Sequence, residues 1–590
     1  MHKSGVCVVE RVSEAHDSIV AAEFTIPSDA STKKSNLPPS SDRCSALEHS
    51  SSVHGSSISQ RLRVGESFDG IDAATLKIFS FADGAASLRA CRLIHLLRGC
   101  SSIFRDSAGS GETYMLSEST RWIGTFISHN WSVHRYRKFA VIALYFNTWL
   151  AAFLTGVVVL AAGVASFAGI LPTVRDLEHG HLKAISARLL SVPVWIIVLL
   201  FGRQVLGCFG FQGPTVFLDK VCIPQTDPSE MKECVKRLAA FISHSSTIVI
   251  IYTDVYLKRL WTVYELAAAF TMHTPDRIVI IPTIMPVVMV FGMISIYIGD
   301  VMLIVMSHLA WYSYISNLVK LVSMYAGMLA MRAWSRQKAA IKTSLANFSV
   351  RSCLCAVEGD RPLVYGNIAS MMRVIHAVDE HASQEEALAV FDATLREQLP
   401  AILEASAGRF ALPYKYVCFM TFCITGAGMV DRLAVVGSWG VHTNRYMVEM
   451  VNATVAAFTG LPLIFAAMDF FAGRFLSLAG CREQAWLACG LFLVSVLAVV
   501  LFLTLEILSS LSFDLNAGSG GGLSSGGLLA YLVYCAIIAL ATLRIFSGRW
   551  QPWSKSPPLK KLHHRLGQEA AVVEQDSVIC EPDGVSEEYN

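Results

Sequence analysis

Charge is scarce in this chain. Lys, Arg, Asp and Glu together make up 16% of its 590 residues, against roughly 25% in ordinary soluble domains. Hydrophobic residues make up 53% and the mean hydropathy is positive, so a soluble core does not account for the composition and a lipid bilayer is the expected partner. No sign of charge dominates either. The formal net charge is +2, and no arginine-aromatic motif of an RNA or DNA module is present, which excludes nucleic acid as the expected partner. The 15 cysteines are scattered, several inside apolar runs, with Cys353-Leu354-Cys355 as the one close pair. That is neither a disulfide framework nor a zinc ribbon, and it implies reduced thiols in a cytosol-facing protein. After His2, Lys3, Glu10 and Arg11 no apolar run of signal-peptide length follows, so insertion is expected to depend on internal helices. Residues 1–65 are rich in Ser, with Leu37-Pro38-Pro39-Ser40-Ser41 and Ser50-Ser51-Ser52. They are too poor in apolar residues to fold alone and are expected to be disordered.

What the chain has instead is long apolar sequence. Phe139 to Val174 carries no charge, more than the roughly 20 residues that cross a bilayer, and its surplus length is free to serve a neighbouring domain. Leu189 to Phe201 is uncharged between Arg188 and Arg203 and makes a second span if Arg203 snorkels. From Ile278 to Met331 only Asp300 and Lys320 interrupt the apolar run. A helical hairpin turning near Ala310 places both at a depth of roughly 15 Å, so an intramembrane Asp300 to Lys320 ion pair is predicted; an interfacial helix with a solvated charge is the alternative. Further spans are expected near Ala411 to Val436, Val448 to Phe471, Ala485 to Leu505 and Gly526 to Phe546, the last after the flexible Gly518-Ser519-Gly520-Gly521-Gly522 linker. The total is eight, with both termini on one side. The basic residues Arg135, Arg137, Lys138, then Arg332, Arg336, Lys338, Lys342, then Arg549, Lys555, Lys560, Lys561 and Arg565 make that side cytosolic by the positive-inside rule. Of two glycosylation sequons, Asn347-Phe348-Ser349 is then cytosolic, and Asn452-Ala453-Thr454 lies outside but close to the membrane.

Between Trp122 and Phe270 a different signal appears. Thr125-Phe126-Ile127-Ser128-His129-Asn130-Trp131 reads as a buried strand feeding a loop, and Thr215-Val216-Phe217-Leu218-Asp219-Lys220 as another. Ile223-Pro224-Gln225-Thr226-Asp227 follows, then a helix over about Ser229 to Ser243, then the strand Thr247 to Tyr252. The block Tyr256-Leu257-Lys258-Arg259-Leu260-Trp261-Thr262-Val263-Tyr264-Glu265-Leu266 comes last. With the apolar insertion removed, these roughly one hundred residues resemble the TIR family, most specifically in Arg-Leu-Trp followed four residues later by Glu. The resemblance implies a flavodoxin-like domain with a parallel sheet, whose ligand sits beyond the carboxyl ends of its strands. The whole is then an α/β unit plus an all-α membrane part. A TIR-like domain at 121–148 and 211–282 is interrupted by a transmembrane hairpin at 149–210. Before it lie the disordered region 1–65 and an unassigned helical preface at 66–120. A second hairpin follows at 283–331, a cytosolic helical module at 332–408, four further transmembrane helices at 409–547 and a disordered tail at 548–590.

Trp261 and Glu265 stand one helical turn apart on one face, so that an aromatic plate and a carboxylate address one ligand. In TIR enzymes that hydrolyse NAD the matching glutamate is catalytic, so the resemblance makes Glu265 that residue, with Ser128, Trp131 and Trp261 shaping the ribose and base pocket. The carboxylate would stabilise positive charge developing on the ribose as nicotinamide leaves; NAD is substrate here and no cofactor or metal is required. The same pattern occurs in TIR domains that only bind other TIR domains, for which the rigid loop Ile223, Pro224, Gln225 is the expected interaction surface. That loop departs from the glycine-rich loop common in adaptor and plant TIR domains. Asp219-Lys220 resembles a phosphoacceptor site but lacks the acidic cluster of a receiver domain near its first strand. His129, Asp219, Cys222 and His244 have zinc-ligand chemistry without finger spacing, and Cys222 reads as a packed thiol. In the module, Ile375, Val378, Ala387, Leu388, Val390, Phe391 and Leu395 follow helical spacing, Asp360-Arg361-Pro362 marks a turn, and Glu385, Glu386 and Arg396 read as a solvated face. Three functions remain open: a membrane signalling protein acting by self-association or with other TIR-containing proteins, with or without NAD hydrolysis; a transporter or channel with a regulatory TIR-like unit; and a non-enzymatic scaffold.

Overall fold

The computed structural model describes residues 88–175, 182–305, 312–375, 377–379, 381–408, 412–436, 443–513 and 525–546, together with Phe79 and Phe81. The expected disordered termini, the Gly518 to Gly522 linker and the Ala310 turn lie outside the described residues.

Six strands form one sheet. In chain order β1 is Arg89–Arg92, β2 Ser117–Ser119, β3 Ile123–Ser128, β6 Thr215–Phe217, β7 Ser245–Tyr252 and β8 Ile278–Pro282, while β4 (Thr173–Arg175) and β5 (Leu182–Ala184) make a separate two-stranded hairpin. The order is β2-β1-β6-β3-β7-β8, with β6, β3, β7 and β8 mutually parallel and β1 and β2 antiparallel at one edge. The parallel strands are nearly continuous apolar, β-branched sequence, as Ser-Ser-Thr-Ile-Val-Ile-Ile-Tyr in β7 shows, because both faces of a parallel sheet are covered. The preface at 66–120 is therefore a correction: besides the Leu93–Ser101 helix it supplies two strands to the sheet.

The two stretches separated by the apolar insertion are neighbours. Phe126 of β3 is in register with Phe217 of β6, and their rings stack with centroids 4.7 Å apart at an interplanar angle of 9°. Gly124 permits the approach, since a Cβ there would lie 2.7 Å from the Thr215 carbonyl oxygen.

The insertion begins as a cover for the sheet and continues as something else. The Arg135–Phe167 helix is unbroken for 33 residues, roughly 50 Å at 1.5 Å per residue. Its first turns bury Lys138, Phe139 and Val141 to Leu144, whereas Trp149 and Phe153 are 81% and 68% exposed. Ser186–Cys208 returns alongside it, tied by Asn147 Nδ2 donating to the Leu199 carbonyl at 2.7 Å. The Tyr414–Ala434 helix packs against both. At Gly163 a Cβ would meet Val430 Cγ1 at 2.3 Å, the small-residue contact that close helix crossings need. Buried Asp431 accepts from the backbone amides of Ala187 and Arg188, at 2.9 Å each, and so caps the start of the returning helix.

Among the described residues six helices are long and apolar enough to cross a membrane: Arg135–Phe167, Ser186–Cys208, Tyr414–Ala434, Met450–Gly473, Cys481–Ser509 and Gly526–Phe546. The second predicted hairpin behaves differently at its start. Ile278–Pro282 is the strand β8, and the Met285–Val305 helix buries Met285, Val288, Met289 and Met293 on one face while Val287, Phe291 and Ile294 are exposed on the other. The side chains of Asp300 and Lys320, and hence the predicted ion pair, lie outside the described residues.

Asn452 of the second sequon lies within the Thr443–Val455 helix. Its Nδ2 donates to Ser509 Oγ and its Oδ1 accepts from the Tyr531 hydroxyl, both at 2.9 Å. With both amide atoms engaged inside a helix bundle, Asn452 is expected to remain unmodified. Glycosidase treatment of protein expressed in a glycosylating host should leave its electrophoretic mobility unchanged.

Candidate active site at the carboxyl edge of the sheet

The parallel strands end together, and their last residues and following loops supply the site. Ser128 closes β3, Asp219 opens the Asp219–Cys222 turn of helix after β6, and Tyr256 follows β7. Glu265 projects from the Leu260–Met272 helix. Ser128 Oγ donates to Glu265 Oε2 at 2.5 Å and stands 2.5 Å from the Tyr256 hydroxyl, so a hydrogen-bonded chain runs from Tyr256 through Ser128 to the carboxyl. Burial pushes the Glu265 carboxyl up to about 8, against the lowering bond from Ser128 and with a smaller upward push from the Asp219 charge. Tyr256 is held well above the usual phenol range by burial and by Glu265. It therefore acts as a hydrogen-bond donor at any physiological pH.

Trp131 is held in place. Its indole N–H donates to Asp219 Oδ2 at 2.9 Å, and the Lys138 ammonium lies 4.7 Å over its ring. His129 packs edge-on at 4.7 Å. Asp219 also accepts from the Lys220 amide at 2.7 Å, and burial raises its carboxyl above the ordinary range. Lys220 is turned away to Asp106, at 2.6 Å. His129 is buried, and its imidazole is held well below its usual range by desolvation and by the Lys138 charge. Its Nε2 and the Nδ2 of Asn130 are buried without a partner, while Asn130 Oδ1 caps the loop by accepting from the Ser132 amide at 2.9 Å.

The edge that carries these groups faces away from the apolar helices. Lys138 sits beside Trp131 at the carboxyl edge, whereas Tyr145, two turns on, is hydrogen-bonded to Thr247 near the start of β7. The helix therefore runs back along the sheet before its lipid-like surface begins.

Of the predicted site residues, the fold brings Ser128 and Glu265 into direct contact and sets Trp131 beside Asp219. Trp261 is half-buried and packs edge-on against Tyr264 at 5.5 Å; it is not part of the Ser128–Glu265 set. The loop Ile223, Pro224, Gln225 requires a correction as an interaction surface. Ile223 and Pro224 are buried, because the loop packs beneath the segment at Gly109, where a Cβ would collide with Gln225 Cγ at 2.2 Å. Only the stretch from Thr226 is exposed, and Asp227 there caps the Pro228–Lys236 helix by accepting from the Ser229 amide at 2.8 Å. No group of His, Cys, Asp and Glu able to hold a metal is present among the described residues. His244 packs against Phe81 and Trp122 at the opposite end of β7, away from His129. Cys222 is a buried thiol.

Residues 332–408 form helices that clamp the Glu265 helix. Leu354 makes a parallel bridge to Arg259, with its amide donating to the Lys258 carbonyl at 2.7 Å and its carbonyl accepting from Leu260 at 2.9 Å. Asn367 Nδ2 donates to the Tyr264 hydroxyl at 3.3 Å. Three residues of the expected solvated face have partners: Glu385 pairs with Arg351, Glu386 closes a capping box with Ser383, and Arg396 donates to the Phe348 carbonyl. The Ser-x-x-Glu spacing was the available signal for that helix start. Sequence reasoning set Asp219 aside as a phosphoacceptor and as a metal ligand, and did not place Asp219, Tyr256 or Lys138 at the site.

The chain matches no family model, no curated protein and no solved structure.

Proposed function

We propose that this is a multi-pass membrane protein carrying a TIR-like domain on the cytosolic side, and that Glu265 cleaves the nicotinamide–ribose bond of NAD. The observation that carries the reading is the Ser128–Glu265 hydrogen bond at the carboxyl edge of a parallel sheet. Counting the four parallel strands in chain order, they lie as 2-1-3-4, the order of a flavodoxin-like sheet short of its last strand, with ligands expected beside its first strand. The antiparallel β1 and β2 are a departure from that pattern. A carboxyl raised by burial is matched to this chemistry, since a cationic pyridinium ribose entering the cleft favours its ionised form. Ionised Glu265 stabilises the charge that develops on the ribose. Water supplies the hydroxyl at the ribose carbon, nicotinamide leaves neutral, and one proton is released.

Membrane insertion in this reading follows the six apolar helices, with the Met285–Val305 and Tyr312–Ala346 pair completing eight. Contact between Tyr414 and Phe546, with ring centroids 4.9 Å apart, brings the end of the last helix beside the start of Tyr414–Ala434, which supports the reading of cytosolic termini. Self-association of the domain, or association with other TIR-containing proteins, would use the exposed face from Thr226 onward.

The pH profile tests the assignment. Because the carboxylate is the active form and its folded value is raised to about 8, kcat/KM for nicotinamide release should climb as pH rises towards 8 and level off above it. A profile already flat from pH about 5.5 would show that Glu265 is not the titrating group.

A further inference from the structure

A cavity lies at the seam between the end of β7 and the helical module. Its volume is about 150 Å³, below the 300–1,000 Å³ of drug-sized pockets, which limits an occupant to a small molecule. One wall is the end of β7 and the turn after it, with Tyr252, Asp254, Leu257 and Lys258; the other is the end of the Tyr312–Ala346 helix and the segment beyond it, with Ile341 and Phe348. Leu257, Ile341 and Phe348 are buried and apolar. Asp254 and Lys258 are exposed and form no ion pair among the described residues.

We propose that this cavity binds a small zwitterion with an apolar body, the class that includes the apolar α-amino acids. The apolar floor takes the body. A carboxylate and an ammonium that are not neutralised by each other offer charge-assisted bonds to a ligand amine and a ligand acid. The backbone bridge of Leu354 to Lys258 and Leu260 holds the two walls in register, so the site is largely formed before binding. The occupant is also coupled to the candidate active site. Tyr252 packs against Tyr256 with ring centroids 5.5 Å apart, and the Tyr256 hydroxyl meets Ser128, which holds Glu265. A ligand that braces Tyr252 against the helix leaving the membrane therefore orders the hydrogen-bonded chain to the carboxyl. Binding itself does not rest on the reaction proposed for Glu265.

The test uses the full chain in detergent and three probes: L-phenylalanine, phenethylamine and 3-phenylpropionate, with L-leucine and L-methionine as further zwitterions. By saturation-transfer NMR and titration, phenylalanine should bind, and each singly charged analogue should bind at least about tenfold more weakly, a loss of about 1.4 kcal/mol. Ser344→Trp, at an exposed helix position lining the cavity, should remove binding, which is read without NAD present. Amide exchange should slow on both walls, at residues 250–258 and 339–348, when phenylalanine is added. Equal affinity for all three aromatic probes, binding that survives Ser344→Trp, or no binding by any of the three zwitterions at millimolar concentration overturns the proposal.

Discussion

Glu265→Ala is expected to lower nicotinamide release from NAD by about 10²–10³-fold, the usual cost of removing one preorganised group from a developing charge, while the protein still folds. The carboxyl sits at a helix position beside the cleft and is half-buried, so its removal opens space at the edge of the core without emptying it. Ser128→Ala separates positioning from chemistry. Without the donor at 2.5 Å the carboxyl loses a bond that favours its charged form, so the pH profile should move to higher pH, with the plateau less affected. Stability should respond in the opposite direction. The folded protein keeps a proton on Glu265 that the unfolded chain releases near its ordinary value, so the wild type loses stability as pH rises from about 4.5 to about 8. Glu265→Gln should remove that loss, making the variant more stable than the wild type at alkaline pH and not at acid pH, as read by thermal melts.

Arg332→Met is expected to destabilise the helix bundle by about 3–5 kcal/mol. The side chain is 1% exposed, and its guanidinium does three jobs. Nε pairs with Glu483 at 2.7 Å, Nη1 donates to the Ala472 and Arg474 carbonyls at 3.0 Å, and Nη2 donates to that of Phe475 at 3.0 Å. Those carbonyls are the unpaired end of the Leu461–Gly473 helix and the turn after it, where Phe475 has the left-handed φ of 49°. Methionine matches much of the volume and none of the bonds. Lysine restores the charge but not the planar fork, so Arg332→Lys should fall between the two in denaturant midpoint. Glu483 keeps Arg336 at 2.9 Å in either variant, which confines the loss to the carbonyls and one arm of the pair.

The parallel strands β3, β6 and β7 were legible because β3 and β7 are largely apolar, and because the resemblance joined β3 to β6 across the insertion; β8 was not. Nor were β1 and β2. Arg-Ala-Cys-Arg and Ser-Glu-Ser are short, charged or polar, and sit at a sheet edge, where one exposed flank erases the alternation that would mark a strand. The helix expected over Ser229 to Ser243 is two helices, broken at Arg237 with φ −96° and ψ 17°, a change of direction that no Gly or Pro announces. Apolar length alone also misjudged the run from Ile278, whose first residues are a strand and whose next turns bury Met285, Met289 and Met293. At the site, Ser128 and Glu265 are 137 residues apart in sequence. Only the resemblance could pair them, and no periodicity reports that Trp131 is held by Asp219 and Lys138. The rigidity of Pro224 was legible, but its burial depends on packing beneath the Gly109 segment, which leaves no mark in the loop itself.

Everything at the cleft depends on β3 and β6 being neighbours in one sheet. A double-mutant cycle on Phe126→Leu and Phe217→Leu, with unfolding free energies measured in detergent, reads that contact directly. The stacked rings predict a coupling of about 0.5–1.5 kcal/mol. Strictly additive effects, within about 0.3–0.5 kcal/mol, would mean that the two stretches do not meet.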